Sequence, residues 1–126
     1  MQFKTTYTLQ LLTAIGLILF WTAFFTFGFE NPNYPSYYSK FEHSFPLPDS
    51  FLCIVLLIAY FNRNNIKWKD YTLVAAGAML FLGLCDFSFN ILNGMYNVGI
   101  IDGILNAFIN IWCVGFGAWQ MYVVMK

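Results

Sequence analysis

Four polar residues, Asp86, Asn90, Asn93 and Asn97, recur at i, i+4, i+7 and i+11 within the stretch Tyr71–Asn97. At 100° per residue they fall within about 60° of one another on one helix face. Asp86 lies well inside an otherwise hydrophobic segment. A carboxylate at bilayer depth costs roughly 2.5–3.5 kcal/mol on insertion scales, so it is expected to face protein or a wet cavity. A second stripe, Asp102, Asn106 and Asn110, follows at i, i+4, i+8 and continues through Cys113, Gly117 and Gln120. The two stripes read as facing walls of a polar crater, with Glu30, Asp49 and Asp102 near its rim. Such a site would attract cations, because acids set in low-dielectric walls focus the field. The expected ligand-binding set is Asp86, Asn90, Asn106, Asn110, Asp102, Glu30 and Asp49.

Each acid also has a structural reading. Asp49 follows Pro48 and precedes Ser50 and an apolar run, as an N-cap would, and Asp102 before Gly103 has the same look. Glu30 could rest in interfacial water. Asp86 could serve as a hydrogen-bonded bridge between helices.

Other familiar chemistry is not encoded. Cys53, Cys85 and Cys113 form no C-x-x-C pair, so disulfide exchange is not expected and each reads as core filler. One histidine, His43, cannot build a multi-histidine metal site. Phosphate-loop, nucleophile-elbow and zinc-protease motifs are missing. No metal and no cofactor is expected, and binding is preferred to catalysis.

The elements that must position these residues follow from composition. Of 126 residues, 60% are hydrophobic and 10% charged, where a soluble domain has about a quarter charged. The expected class is an all-α integral membrane four-helix bundle, a single domain over residues 1–126. Its location would be a membrane crossed several times: a cell membrane, or the inner one in a bacterium. The lipid bilayer is the first partner, and a homodimer could be the working unit. Net charge is zero and no basic block invites nucleic acid.

The apolar segments are Leu9–Phe29, Ser50–Phe61, Tyr71–Leu92 and Ile101–Val124. On the first, Thr8, Leu12, Gly16, Leu19, Ala23 and Thr26 share a face suited to close helix packing. Gly77, Gly83, Gly115 and Gly117 read as packing glycines. All four prolines fall in 31–48, which reads as a connection. The second segment is short for a span, and a re-entrant piece is its alternative. Charge favours a crossing. With four crossings, Lys4, Arg63, Lys67, Lys69 and Lys126 share one side and only Lys40 lies on the other. The positive-inside rule then makes both termini cytoplasmic and the crater outward-facing.

The long first loop, Phe51-Leu52-Cys53, the Lys67-Trp68 pair and the polar later segments resemble the EXPERA group of sterol isomerases and sigma-2-type receptors. The resemblance implies four spans and acids around an intramembrane pocket. That group has an acid within its second span and this chain has none there, so no catalytic residue carries over. Three functions stay open: an outward pocket for a small cationic or amphiphilic, lipid- or sterol-like molecule; an EXPERA-like isomerase moving a proton with a carboxylate; or a small dimeric cation or drug transporter or membrane-complex assembly subunit.

Overall fold

A computed structural model describes residues 2–27, 37, 40, 41, 43–97 and 99–125. Its described elements are helical: α1 (Gln2–Phe27), α2 (Pro46–Phe61), α3 (Trp68–Leu92), a short 3-10 turn (Met95–Asn97) and α4 (Ile100–Met125). Three of the helices, α1, α3 and α4, are long and apolar enough to cross a membrane; α2 is a shorter apolar helix of 16 residues. The outer surface is apolar, with Leu19, Phe81, Ile104 and Ile111 among many exposed large side chains.

The helices alternate in direction. Trp21 meets Asp49, Ala14 meets Cys53 and Tyr7 meets Tyr60, so α2 runs antiparallel to α1 along most of its own length. Gly83 lies against Cys113 and Gly117 against Ala76, so α4 runs antiparallel to α3. The start of α1, the turn after α2 and the end of α4 therefore gather at one end of the bundle. There Phe3 packs edge-on against Trp68 at 5.3 Å, and the Arg63 guanidinium stands 4.2 Å from the Tyr60 ring centroid.

Helix starts all precede the sequence expectation, α3 by three residues and α4 by one, and two of the differences change the reading. α1 begins well before Leu9, taking in Thr5, Thr6 and Thr8. α2 begins at Pro46, so Pro46 and Pro48 open a helix and are not part of a connection, while Pro32 and Pro35 fall outside the described residues. Proline fits a first turn because its missing N–H would have had no helical partner there. At the far end of α2, the Asn62 side chain donates to the Ile58 carbonyl and the Arg63 side chain to that of Tyr60, adding to the backbone N–H bonds these last carbonyls accept. Asn93 ends α3, and Gly94 turns the chain at a φ of +64°, where glycine carries no Cβ penalty.

The core has two parts. Leu52, Leu56, Ala75, Met79 and Phe116 form its apolar centre. Beside it lies a buried polar knot. Gln10 donates to the Thr72 hydroxyl and to Oε1 of Gln120, both at 2.9 Å, and its own Oε1 accepts the Trp68 indole N–H at 3.0 Å. Gln120 reaches the Met79 sulfur at 3.2 Å, and Trp119 donates to the buried Thr6 hydroxyl. Gln10, Thr72 and Gln120 are fully buried.

This knot overturns the expected packing face of α1. Thr8, Leu12, Gly16, Leu19 and Thr26 are exposed, and the inward face is Thr6, Gln10, Ala14 and Phe24. Outward hydroxyls are cheap when they bond to their own helix, as Thr8 does to the Lys4 carbonyl and Thr22 to that of Ile18. Glycine packing holds in part. A Cβ on Gly83 would lie 2.9 Å from that of Cys113, and one on Gly117 3.1 Å from the Ala76 carbonyl oxygen, but Gly77 and Gly115 face open space.

Gln10→Leu keeps the volume and removes three bonds. At roughly 0.6 kcal/mol per bond within a membrane bundle, plus the cost of leaving Trp68 and Gln120 without their partner, we expect a loss of about 2–3 kcal/mol. Denaturant unfolding in detergent checks this, and a midpoint equal to wild type would show that the knot holds nothing together.

Candidate functional site

One cavity of about 430 Å³ lies between the four helices, on the side of the knot away from the Phe3–Trp68 end. Such a volume falls within the range of small-molecule sites. Asp49 of α2, Asp86 of α3, and Asn106 and Asn110 of α4 all line it. Most of the remaining wall is aliphatic or aromatic, including Leu17, Phe20, Leu52 and Leu82. Met79 belongs both to this wall and to the polar knot, which therefore forms the floor.

The local sequence explains each placement. Asp49 sits in the first turn of α2, where a carboxylate suits the positive end of the helix dipole. It is not the cap. The helix starts three residues earlier, Phe45 holds the N-cap position without a side-chain cap bond, and the Asp49 amide already donates to the Phe45 carbonyl. Its Oδ2 instead accepts the Trp21 indole N–H at 2.8 Å, tying α2 to α1 across the cavity wall. Asp102 is not a cap either, because α4 starts at Ile100 and includes it in its first turn.

Asp86 is half-buried and stands one turn before Asn90. Asn110 is fully buried, and its Nδ2 donates to the Tyr96 hydroxyl, which the 3-10 turn carries back over α4. That turn can fold so close because Gly103 lies directly beneath the Tyr96 carbonyl, a space that no Cβ could share.

The expected residues thus divide. Asp49, Asp86, Asn106 and Asn110 come together in the cavity. Asn90 is fully buried without lining it, and its amide has no hydrogen-bond partner among the described residues. Asp102 lies in the first turn of α4, also outside the lining, and Glu30 falls outside the described residues. Among the described residues no group of three or more His, Cys, Asp or Glu side chains is placed to hold a metal ion.

Sequence reasoning missed the aromatic donors. Trp21 and Trp112 line the cavity, yet both indole N–H groups are directed at neighbouring acceptors, Asp49 and the Thr13 hydroxyl. The signal was available in the spacing of Thr6, Gln10, Thr13, Leu17 and Trp21, which marks the inner face of α1 as more polar than the rest.

The cavity is open on one flank. Leu12 on α1 and Leu105 and Phe108 on α4 line it while remaining 56%, 43% and 65% exposed. The described side-chain bonds that join these helices are Thr6–Trp119, Gln10–Gln120 and Thr13–Trp112, all towards the knot. Beyond Thr13 the helices part. At the end away from the knot, Phe45 lines the cavity and packs on Phe41, which stacks on Phe89 at 3.7 Å, while Tyr37 donates to Oδ1 of Asn93.

Comparison of the chain with protein-family models, curated proteins and solved structures gave no match.

Two glycines on the cavity wall should behave oppositely. A Cβ on Gly16 would meet nothing within 4 Å, while Gly83 is in contact with α4. Gly16→Leu should keep or raise stability, by up to about 1 kcal/mol from helix propensity. Gly83→Leu should cost about 1–3 kcal/mol through overpacking. Paired thermal melts test both, and equal melts would contradict the described α3–α4 contact.

Proposed function

We propose that the chain is a multi-pass membrane protein that binds a small cationic or amphiphilic molecule in the cavity between its helices. The observation that carries this reading is the gathering of Asp49, Asp86 and Asn106, from three separate helices, on one mostly apolar cavity. An apolar chamber with a few convergent polar groups is the usual form of a small-molecule site. Two carboxylates on one wall favour a positively charged ligand, and Phe20, Trp21 and Trp112 would enclose its apolar part.

The membrane setting rests on length and surface. Three helices can span, and large apolar side chains cover the outside of the bundle. α2 runs alongside α1 from Asp49 to Tyr60, which supports a fourth crossing over a re-entrant piece. Lys4, Arg63, Lys67 and Lys69 then share the Phe3–Trp68 end, which becomes the cytoplasmic side with both termini. Asp49, Asp86 and Asp102 lie towards the outer side.

Two measurements test this. In a background lacking Cys53, Cys85 and Cys113, single cysteines at Asn65 and His43 should react with an impermeant maleimide from opposite faces of sealed vesicles. Reaction from one face would rule out four crossings. In nanodiscs, dodecylammonium should raise the unfolding temperature more than dodecanol at equal membrane mole fraction. Asp86→Asn should insert and fold normally yet bind the ammonium at least tenfold more weakly. A variant that folds and binds as well as wild type would end the ligand reading and leave Asp86 as a bridge between helices.

A further inference from the structure

We infer that the ligand enters sideways, between α1 and α4, and that it is a single-chain amphiphile whose cationic head meets Asp49 and Asp86 while its tail lies down the α1–α4 furrow. This rests on the cation-binding reading above and adds the ligand's form, its source and its pose.

The open flank carries the first part. The exposed residues of the cavity lining, Leu12, Gly16, Leu105 and Phe108, belong to α1 and α4, and none carries a polar side chain. In a bilayer that flank faces acyl chains. A ligand that passes it comes from the membrane, and it must carry enough apolar surface to reside there.

The second part comes from a neighbouring hollow. A groove of about 330 Å³ continues from the cavity along the same two helices. Leu9, Phe108 and Trp112 line both spaces, so the two are continuous along the α1–α4 crevice. The groove runs on past Ile111 and Gly115 to Thr5 and Trp119. Its floor offers no charge. Trp119 and Trp112 direct their N–H groups to Thr6 and Thr13, leaving ring faces and aliphatic carbons as its main surface. Gly115 contributes a smooth stretch, since a Cβ there would meet nothing within 4 Å.

The polarity gradient sets the direction. Both lining carboxylates lie in the upper space, Asp49 level with Trp21, and none lines the lower one. From Trp21 down to Thr5, at the foot of the furrow, is sixteen residues, about 24 Å at 1.5 Å per residue, the reach of an extended chain of roughly eighteen to twenty carbons. One chain therefore matches one furrow. A two-chain lipid would leave its second tail outside, in the bilayer.

The test is photolabelling in nanodiscs with hexadecylammonium that carries a diazirine near its chain end. Label that unlabelled hexadecylammonium competes away should fall on Thr5–Leu9 and Ile111–Trp119. It should drop at least tenfold in Asp86→Asn. Gly115→Leu, whose Cβ would have open space around it, should fill the lower furrow and move the label or reduce it several-fold while dodecylammonium still shifts the melting temperature. Competable, Asp86-dependent label confined to residues 41–49 or to α2 would overturn the sideways pose and leave the cation-binding reading standing. Label that neither competitor nor Asp86→Asn changes, with no melting shift from dodecylammonium, would overturn both.

Discussion

A polar side chain buried inside an apolar bundle must find its partners within that bundle, and Gln10 shows how strongly this constrains the fold. One amide joins α1 to Thr72 and Trp68 on α3 and to Gln120 on α4. In the proposed bilayer, apolar contact alone would leave the rotation of α1 nearly free, because lipid would solvate its outer face as well as protein does. The amide removes that freedom. Turning α1 by a single residue position would carry Gln10 away from all three partners. With the rotation fixed, Ala14 meets Cys53, Trp21 meets Asp49 and Thr13 meets Trp112.

The bundle is consequently asymmetric along its length. Near the knot, side-chain bonds draw α1 and α4 together. Farther along, α3 stays in close contact with α4 through Gly83, and Gly103 holds the turn after α3 against α4, while α1 leans on α2 and away from α4. A space opens where glycine contact and hydrogen bonding no longer act on the same pair of helices. That space holds the carboxylates. A polar group is least costly where the walls are least tightly packed, because solvent or a ligand can reach it.

Much of this was legible in the residues. The apolar runs marked the helices, and the i, i+4 stripes placed Asp86, Asn106 and Asn110 on mutually facing sides of α3 and α4. Asn93 and Asn97 do not continue the stripe as expected, because α3 ends at Leu92 and Gly94 turns the chain. The inner face of α1 was misread, because threonine occurs all round that helix and its hydroxyl can be satisfied by its own backbone. Counting small and hydroxyl residues therefore selected the wrong side, whereas glutamine, which in this bundle bonds to other helices, was the informative residue. Proline misled at α2 for a related reason. It breaks a helix interior but suits a first turn, and only the structure shows which position Pro46 and Pro48 take. With Pro46 at the start, Asp49 moves from cap to cavity wall.

In the proposed bilayer setting, the brevity of α2 would have a consequence for the lipid beside it. Sixteen residues span about 24 Å, against a hydrocarbon layer of about 30 Å. Its companions are long enough to reach across, so the mismatch falls on one flank of the molecule. The cheapest accommodation is local thinning of the bilayer there, at fractions of a kcal/mol per ångström. A dimple beside Pro46 would bring phospholipid head groups, and their water, down to the depth of Asp49. The protein would then favour thin membranes, and bilayer thickness itself would set how deeply its acids lie below the surface.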